Sequence, residues 1–329
     1  MVGDATPMRF GVIGTAGIAQ KAFLPAVEKT HHEVVAISSR NGSRAETVAG
    51  KYGINRAYGT YDAILEDEAV DAVYVPLPNA LHAEWTKRAA DAGKHILCEK
   101  PLAVDAAEAR AVVDYCAERG VTLLEGYMYR YHPRTERALA LAADELKDIR
   151  SITATFRYPL YDQPNNVRLD PDLAGGSLMD VGCYPASLTR AVLGTPTRVS
   201  AHALDSRDTG VDTEFAGLLE YDDAVAHVTS GFDTQKRQRY RIDAANGWLE
   251  VENAFDVPDG PLSLEYRIDG RHAVETFDPC DQFQLEVEHF VDCLQGRDQP
   301  RTDGESAIAN IQLIEALRRS ALEGKMINL

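Results

Sequence analysis

Apolar and polar positions along this chain fall into two textures that change near Gly126. Before it, short apolar runs read as buried parallel strands: Phe10–Ile13, Val34–Ile37, Ala72–Val75, His95–Cys98 and Thr122–Leu124. Segments with helical spacing lie between them. Ile18–Glu28 has apolar residues at Ile18, Ala22, Ala26 and Val27; Leu81–Ala92 and Asp105–Glu118 follow, the last with Asp105 as candidate N-cap. Alternating strands and helices predict a parallel sheet over residues 1–126. Beyond Gly126 the strand-like pieces are Ile149–Tyr158, Arg198–Ala203, Phe215–Tyr221, Ala224–Phe232, Arg239–Asp243, Trp248–Asn253 and Ser263–Ile268. Turns such as Asp222-Asp223, Asn246-Gly247 and Asp269-Gly270 join them, which predicts an antiparallel sheet over 127–329. Two late helices, near Phe283–Leu294 and Glu305–Glu323, complete the second domain.

Composition narrows the classes. At 329 residues the chain is about twice the usual single-domain size, so two domains are the natural prior. No apolar run of about 18 residues exists, so no membrane-spanning segment is expected. Met1–Pro7 has neither a basic region nor an apolar one, so no signal peptide is expected. Five cysteines without Cys-x-x-Cys spacing predict reduced thiols in a cytoplasm and no metal site. A formal charge of −17 disfavours nucleic acid and anionic membranes as partners. Only nine of the 34 basic residues are lysine, and Asp outnumbers Glu. Such a bias points to a high-salt cytoplasm; a merely acidic surface is the alternative.

The chemistry gathers at strand ends. Gly14-Thr15-Ala16-Gly17-Ile18-Ala19 follows the first strand and opens a helix. In that setting a pyrophosphate can approach backbone N–H groups at a helix N-terminus. The second strand ends in Ser38-Ser39-Arg40-Asn41, without the acid that would hold an unmodified ribose. Ser39 and the Arg40 fork suit a 2′-phosphate, so NADP is favoured over NAD. The strand Ala72–Val75 breaks at Pro76-Leu77-Pro78-Asn79, with Asn79 as candidate cap of the helix carrying His82, itself either a site residue or a packed one. Glu99-Lys100-Pro101 ends the next strand, and Lys100 is either half of an ion pair or a site cation. In the second domain, Asp180 and Tyr184 are four apart after Gly175-Gly176, hence on one helix face. A phenol with a reference pKa of about 10 needs a nearby cation such as Lys100 to act as a base. Arg168 is a further candidate for holding substrate or cofactor.

These segments, with Glu125-Gly126-Tyr127-Met128-Tyr129-Arg130-Tyr131-His132-Pro133 and Gly176–Pro185, resemble the glucose–fructose oxidoreductase/inositol dehydrogenase (GFO/IDH/MocA) family over nearly the whole chain. The resemblance implies an α/β Rossmann domain followed by an α+β domain with an open-faced, mostly antiparallel sheet that often mediates dimerisation. A homodimer or homotetramer through that sheet is therefore expected. It implies cofactor contacts at Gly14, Ala16, Ile18, Ser39, Arg40, Pro76, Asn79, His82, Glu99 and Lys100, and catalytic roles for Lys100 and Tyr184 with Asp180 in support. Tyr184, where inositol dehydrogenase-like members carry histidine, is similar to the dihydrodiol dehydrogenase, D-xylose dehydrogenase and ketosugar reductase branch. The expectation is an NADP-dependent dehydrogenase acting on an aldose such as D-xylose at C1. An NADPH-dependent ketosugar or dicarbonyl reductase and a non-enzymatic NADP-sensing regulator are the alternatives.

Overall fold

The computed structural model describes residues 6–161, 163–258 and 260–329. Met1–Ala5, part of the start read for targeting signals, lies outside the described residues. Among the described residues no helix is long and apolar enough to cross a membrane.

The chain forms two compact units, Met1–Tyr127 with Asp281–Ala307, and Met128–Cys280 with Ile308–Leu329. The first boundary falls where the texture changes. The assignment of all of 127–329 to the second domain is corrected: Asp281–Ala307 packs with the first unit. Its helix Gln282–Leu294 sets Phe290 against Phe10 with ring centroids 6.1 Å apart. Thr302 Oγ1 donates to the Glu125 carbonyl at 2.7 Å. These are tertiary contacts, which local periodicity does not register.

In the first unit, strands β1 (Arg9–Ile13), β2 (Glu33–Ser38), β3 (Arg56–Tyr58), β4 (Ala72–Val75), β5 (His95–Glu99) and β6 (Leu123–Gly126) form a parallel sheet in the order β3-β2-β1-β4-β5-β6. The central strands are buried on both faces, as the continuous apolar runs require. Helix Ala106–Glu118 begins at Asp105, whose carboxylate accepts from the Glu108 N–H at 2.8 Å. Short β3 was missed because three residues carry no readable period. The helix expected from Ile18 instead starts as a π-turn, Ala19–Phe23, before α-helix Leu24–Glu28.

In the second unit, β7 (Ile149–Arg157), β8 (Arg198–Leu204), β9 (Glu214–Glu220), β10 (Val225–Gly231), β11 (Arg237–Ala244), β12 (Gly247–Glu252), β13 (Leu262–Ile268), β14 (Arg271–Phe277) and β15 (Ile327–Asn328) form one sheet. The order is β14-β13-β12-β11-β7-β10-β9-β8-β15, antiparallel except where β7 meets β10. Strict alternation on β13 buries Leu262, Leu264, Tyr266 and Ile268 and turns Ser263, Glu265 and Arg267 to solvent. Helices Pro133–Asp144 and Cys183–Leu193 cover the buried face.

Candidate active site

Every first-unit site residue named from the sequence falls at or just beyond the carboxyl edge of four adjacent strands, β2, β1, β4 and β5. Strand order reverses between β1 and β4, and there an open parallel sheet leaves a crevice. Gly14 has φ of +108°, and its N–H donates to the Ser38 carbonyl at 3.0 Å, tying the ends of β1 and β2. Gly17 and Ile18 are exposed and Ala16 half-buried, so the turn presents backbone to the rim. A Cβ on Gly17 would meet nothing within 4 Å, so neither neighbouring side chains nor backbone close off this approach.

At the end of β2, Ser39 is buried and its Oγ accepts from the Asn41 N–H at 3.2 Å. Arg40 is exposed, and Arg44 reaches back to the Thr15 carbonyl at 3.4 Å. Two guanidinium groups and no carboxylate flank this rim between Val34 and Arg44. The residues fit a phosphorylated ribose.

Beyond β4 and β5 the side chains behave less uniformly. Pro76 is buried. The α-helix His82–Asp91 has Leu81 at its N-cap with no side-chain cap, so the proposed Asn79 cap is corrected; Asn79 opens a short 3₁₀ turn instead. For His82, which the sequence left between a site residue and a packed one, the structure shows a packed ring. It is fully buried, with Nδ1 2.7 Å from the Pro101 carbonyl and Nε2 2.7 Å from the Leu77 carbonyl. Its ring ties two rim turns together, and burial holds its pKa below the usual range. The Glu99 carboxylate accepts from the Tyr74 hydroxyl at 2.7 Å and from the Lys100 N–H at 3.3 Å. Glu286, fully enclosed and sensing the Glu99 charge, has its carboxyl raised well above normal by burial. Lys100 and Pro101 are joined by a cis peptide.

The second unit brings together Asp180, Tyr184 and Arg168, with one residue the sequence reading missed. Leu178–Gly182 is a π-turn leading into α-helix Cys183–Leu193, which corrects the regular helix face expected for Asp180 and Tyr184. Gly182 permits this: a Cβ there would sit 2.8 Å from Ser230 Oγ on β10. Asp180 Oδ2 accepts from the Tyr158 hydroxyl at 2.7 Å and from Arg168 Nε at 2.8 Å. Arg168, offered by the sequence to substrate or cofactor, thus anchors Asp180 within its own unit. The Asp180 charge keeps Arg168 firmly protonated. Burial, then that same charge, pushes the Tyr158 phenol upward, so it serves as a donor. Tyr158 lies just beyond β7, and no local pattern links it to Asp180.

Tyr184 is buried among Tyr129, Phe156 and Phe255, with ring centroids 5.8, 5.3 and 5.5 Å away. Its hydroxyl donates to Met128 Sδ at 3.3 Å, a weak acceptor. Arg168 lies within electrostatic reach of the phenol. The described cysteines are all free thiols, and no cluster suited to a metal ion occurs among the described residues.

A dinucleotide-type sheet with glycine turn, joined to a mixed sheet carrying a carboxylate, a phenol and a guanidinium, defines an oxidoreductase of two units. Residues 8–127 match the family described as "Oxidoreductase family, NAD-binding Rossmann fold", and 138–250 match the GFO/IDH/MocA C-terminal domain. The chain belongs to the GFO/IDH/MocA oxidoreductase family. It is 50% identical to the D-xylose 1-dehydrogenase (NADP(+)) 2 of Haloferax volcanii, over 98% of this chain and 100% of that protein. A solved 3-ketoreductase from Actinomadura kijaniata, in complex with NADP and TDP-benzene, is 33% identical with TM-score 0.88, covering 95% of this chain and 98% of its own. An aldose-aldose oxidoreductase from Caulobacter crescentus, with glycerol, is 30% identical with TM-score 0.90, covering 98% and 100%.

Proposed function

We propose that this enzyme is an NADP-dependent sugar dehydrogenase that oxidises an aldose such as D-xylose at C1 to the lactone. End-to-end likeness to a D-xylose 1-dehydrogenase carries the substrate class. The acid-free rim at Ser39 and Arg40 supports NADP as coenzyme. Gly14, Ala16 and Ile18 would face its pyrophosphate, Ser39 and Arg40 its 2′-phosphate, and Pro76, Asn79, Glu99 and Lys100 its nicotinamide half. When bound, NADP supplies a hydride acceptor at the nicotinamide C4.

The protein's own part is proton handling and orientation. Tyr184 takes the proton of the C1 hydroxyl, and Lys100 supplies the positive charge that eases phenolate formation. Asp180, its charge fixed by Tyr158 and Arg168, orients the sugar. Tyr184 would receive the hydroxyl proton and, with NADP bound, the C1 hydride would have its acceptor there, which balances the oxidation as lactone, NADPH and a proton. The same site run backwards would reduce a ketosugar, a reading favoured by the likeness to the 3-ketoreductase. NADPH absorbance with a panel of pentoses and hexoses separates the two. Growth with D-xylose supports the dehydrogenase, and turnover only with ketosugars and NADPH supports the reductase. No turnover in either direction would leave an NADP-sensing regulator.

We also propose a cytoplasmic homodimer or homotetramer formed through the outer sheet face. That face carries the exposed apolar residues Leu204, Val225 and Val274. The charge of −17 and scarcity of lysine support a high-salt cytoplasm, as does similarity to a protein from a halophile.

A further inference from the structure

The π-turn that bears Asp180 is fastened by a residue far along the chain. Asp212, just before β9, uses one oxygen, Oδ2, to accept from the Ser177 hydroxyl at 2.7 Å and from the Leu178 N–H at 2.8 Å. Its backbone carbonyl accepts from the Ser177 N–H at 2.8 Å. Ser177 Oγ also meets Ser230 Oγ at 2.9 Å, and the Asp180 N–H donates to the Gly176 carbonyl at 3.0 Å. Gly176 has φ of +108°, and a Cβ there would run into Asp212 Oδ1.

We propose that Asp212 is a positioning residue for proton transfer, fixing the first residues of the π-turn and hence the placement of Asp180 and Tyr184. The proposal rests on the reading of those two residues given above. One residue, Met179, separates the Leu178 N–H held by Asp212 from Asp180. Tyr158 and Arg168 grip the Asp180 side chain, so Asp212 supplies the backbone half of the same clamp. π-Turns are rare and concentrate at functional sites, so this one needs a fixed start. Charged side chains on the surrounding elements are already engaged with one another: Arg168 with Asp180, Arg157 with Glu214, Arg207 with Asp233. The Asp212 carboxylate therefore answers to its two donors, and burial pushes its pKa up to about 6.

Both donors converge on one oxygen, so Asp212→Asn can keep both bonds with its amide oxygen, whereas Asp212→Ala keeps neither. A displacement of about 1 Å in a reacting group can cost about 10²-fold in rate. The full-length enzyme should show kcat reduced about tenfold or more in Asp212→Ala, with KM for NADP within about twofold of native. Asp212→Asn should recover kcat to within about threefold. Ser177→Ala, which removes one donor, should fall between, with thermal melting reporting folding throughout. A folded Asp212→Ala enzyme with native kcat, or an Asn variant as impaired as Ala, overturns the proposal. If Asp212→Ala does not fold, native kcat in Ser177→Ala overturns it instead. Tyr184→Phe is the control: if it keeps native turnover, the reading of the site itself fails. If Tyr184→Phe is inactive while Asp212→Ala is unimpaired, only the role of Asp212 fails.

Discussion

Gly14 and Gly176 share a φ of +108°, and each opens a segment to which we assign a part in function. Their surroundings differ. A side chain on Gly14 would meet a Leu77 methyl at 3.0 Å, the movable end of a side chain in the same unit. One on Gly176 would strike the Asp212 carboxylate, which already holds two donors. The first glycine spends its N–H on the Ser38 carbonyl and so ties the ends of β1 and β2. The second lets the protein close on a carboxylate of its own. A positive φ therefore says that a turn is special, and the atoms beside it say what the turn holds.

The largest expected effects break this comparison by chemistry. Tyr184→Phe should lower turnover by about 10² to 10⁴ while NADP still binds, measured by steady-state kinetics and coenzyme titration. Lys100→Met should lower turnover similarly. Arg40→Asp, near the Gly14 turn, should instead raise KM for NADP by tens of fold and spare NAD, since a phosphate-binding fork is replaced by a repelling charge. Equal use of both coenzymes by the native enzyme would overturn the reading of the β2 rim.

Next come the glycines. Gly176→Ala should destabilise by about 3 kcal/mol, from a disfavoured backbone conformation and a disturbed, half-buried carboxylate that holds two donors. Gly14→Ala should cost about 1–2 kcal/mol, with coenzyme affinity falling more than melting temperature. Denaturant unfolding with and without NADP separates the two responses.

A smaller effect concerns pH. The Asp212 pKa is raised by burial from 3.8 to about 6, so the folded state holds this proton more tightly than the unfolded chain. Its contribution to stability is fullest below about pH 3.8 and is lost as pH rises through 6. Asp212→Asn should therefore gain melting temperature relative to native at pH 8 compared with pH 5. The smallest effect is salt: molar KCl, screening to about 3 Å, should raise melting temperature and activity. Potassium glutamate run alongside separates screening from chloride effects.

What the sequence made legible follows the range of the forces involved. β1, β2, β4 and β5 announce themselves because burial on both faces leaves unbroken apolar runs, and their ends carry the rim chemistry. Asp105 capped its helix as its type and place required. His82 stayed open in the sequence because a histidine after a strand end looks the same whether it meets a coenzyme or packs against two turns. The four-residue spacing of Asp180 and Tyr184 assumed an α-helical turn, and the π-turn invalidated that geometry. Tyr158 and Asp212 escaped altogether, since both act across the sheet from 22 and 34–35 residues away. β14 was missed although its partner β13 was read, because its exposed, alternating polar face resembles a loop.

The return of Asp281–Ala307 to the first unit bears on how this enzyme can be made and dissected. During synthesis the parallel sheet emerges first, yet Phe10 lacks Phe290 and Glu125 lacks Thr302 until strands β7 to β14 of the second sheet have been translated. Closing contacts of such long sequence separation is slow, and the waiting sheet exposes apolar surface that invites chaperones or aggregation. A fragment cut at Tyr127 should inherit that unfinished face permanently. A graft of the coenzyme-binding unit onto another protein would need both stretches of chain, joined by a new loop, to be soluble.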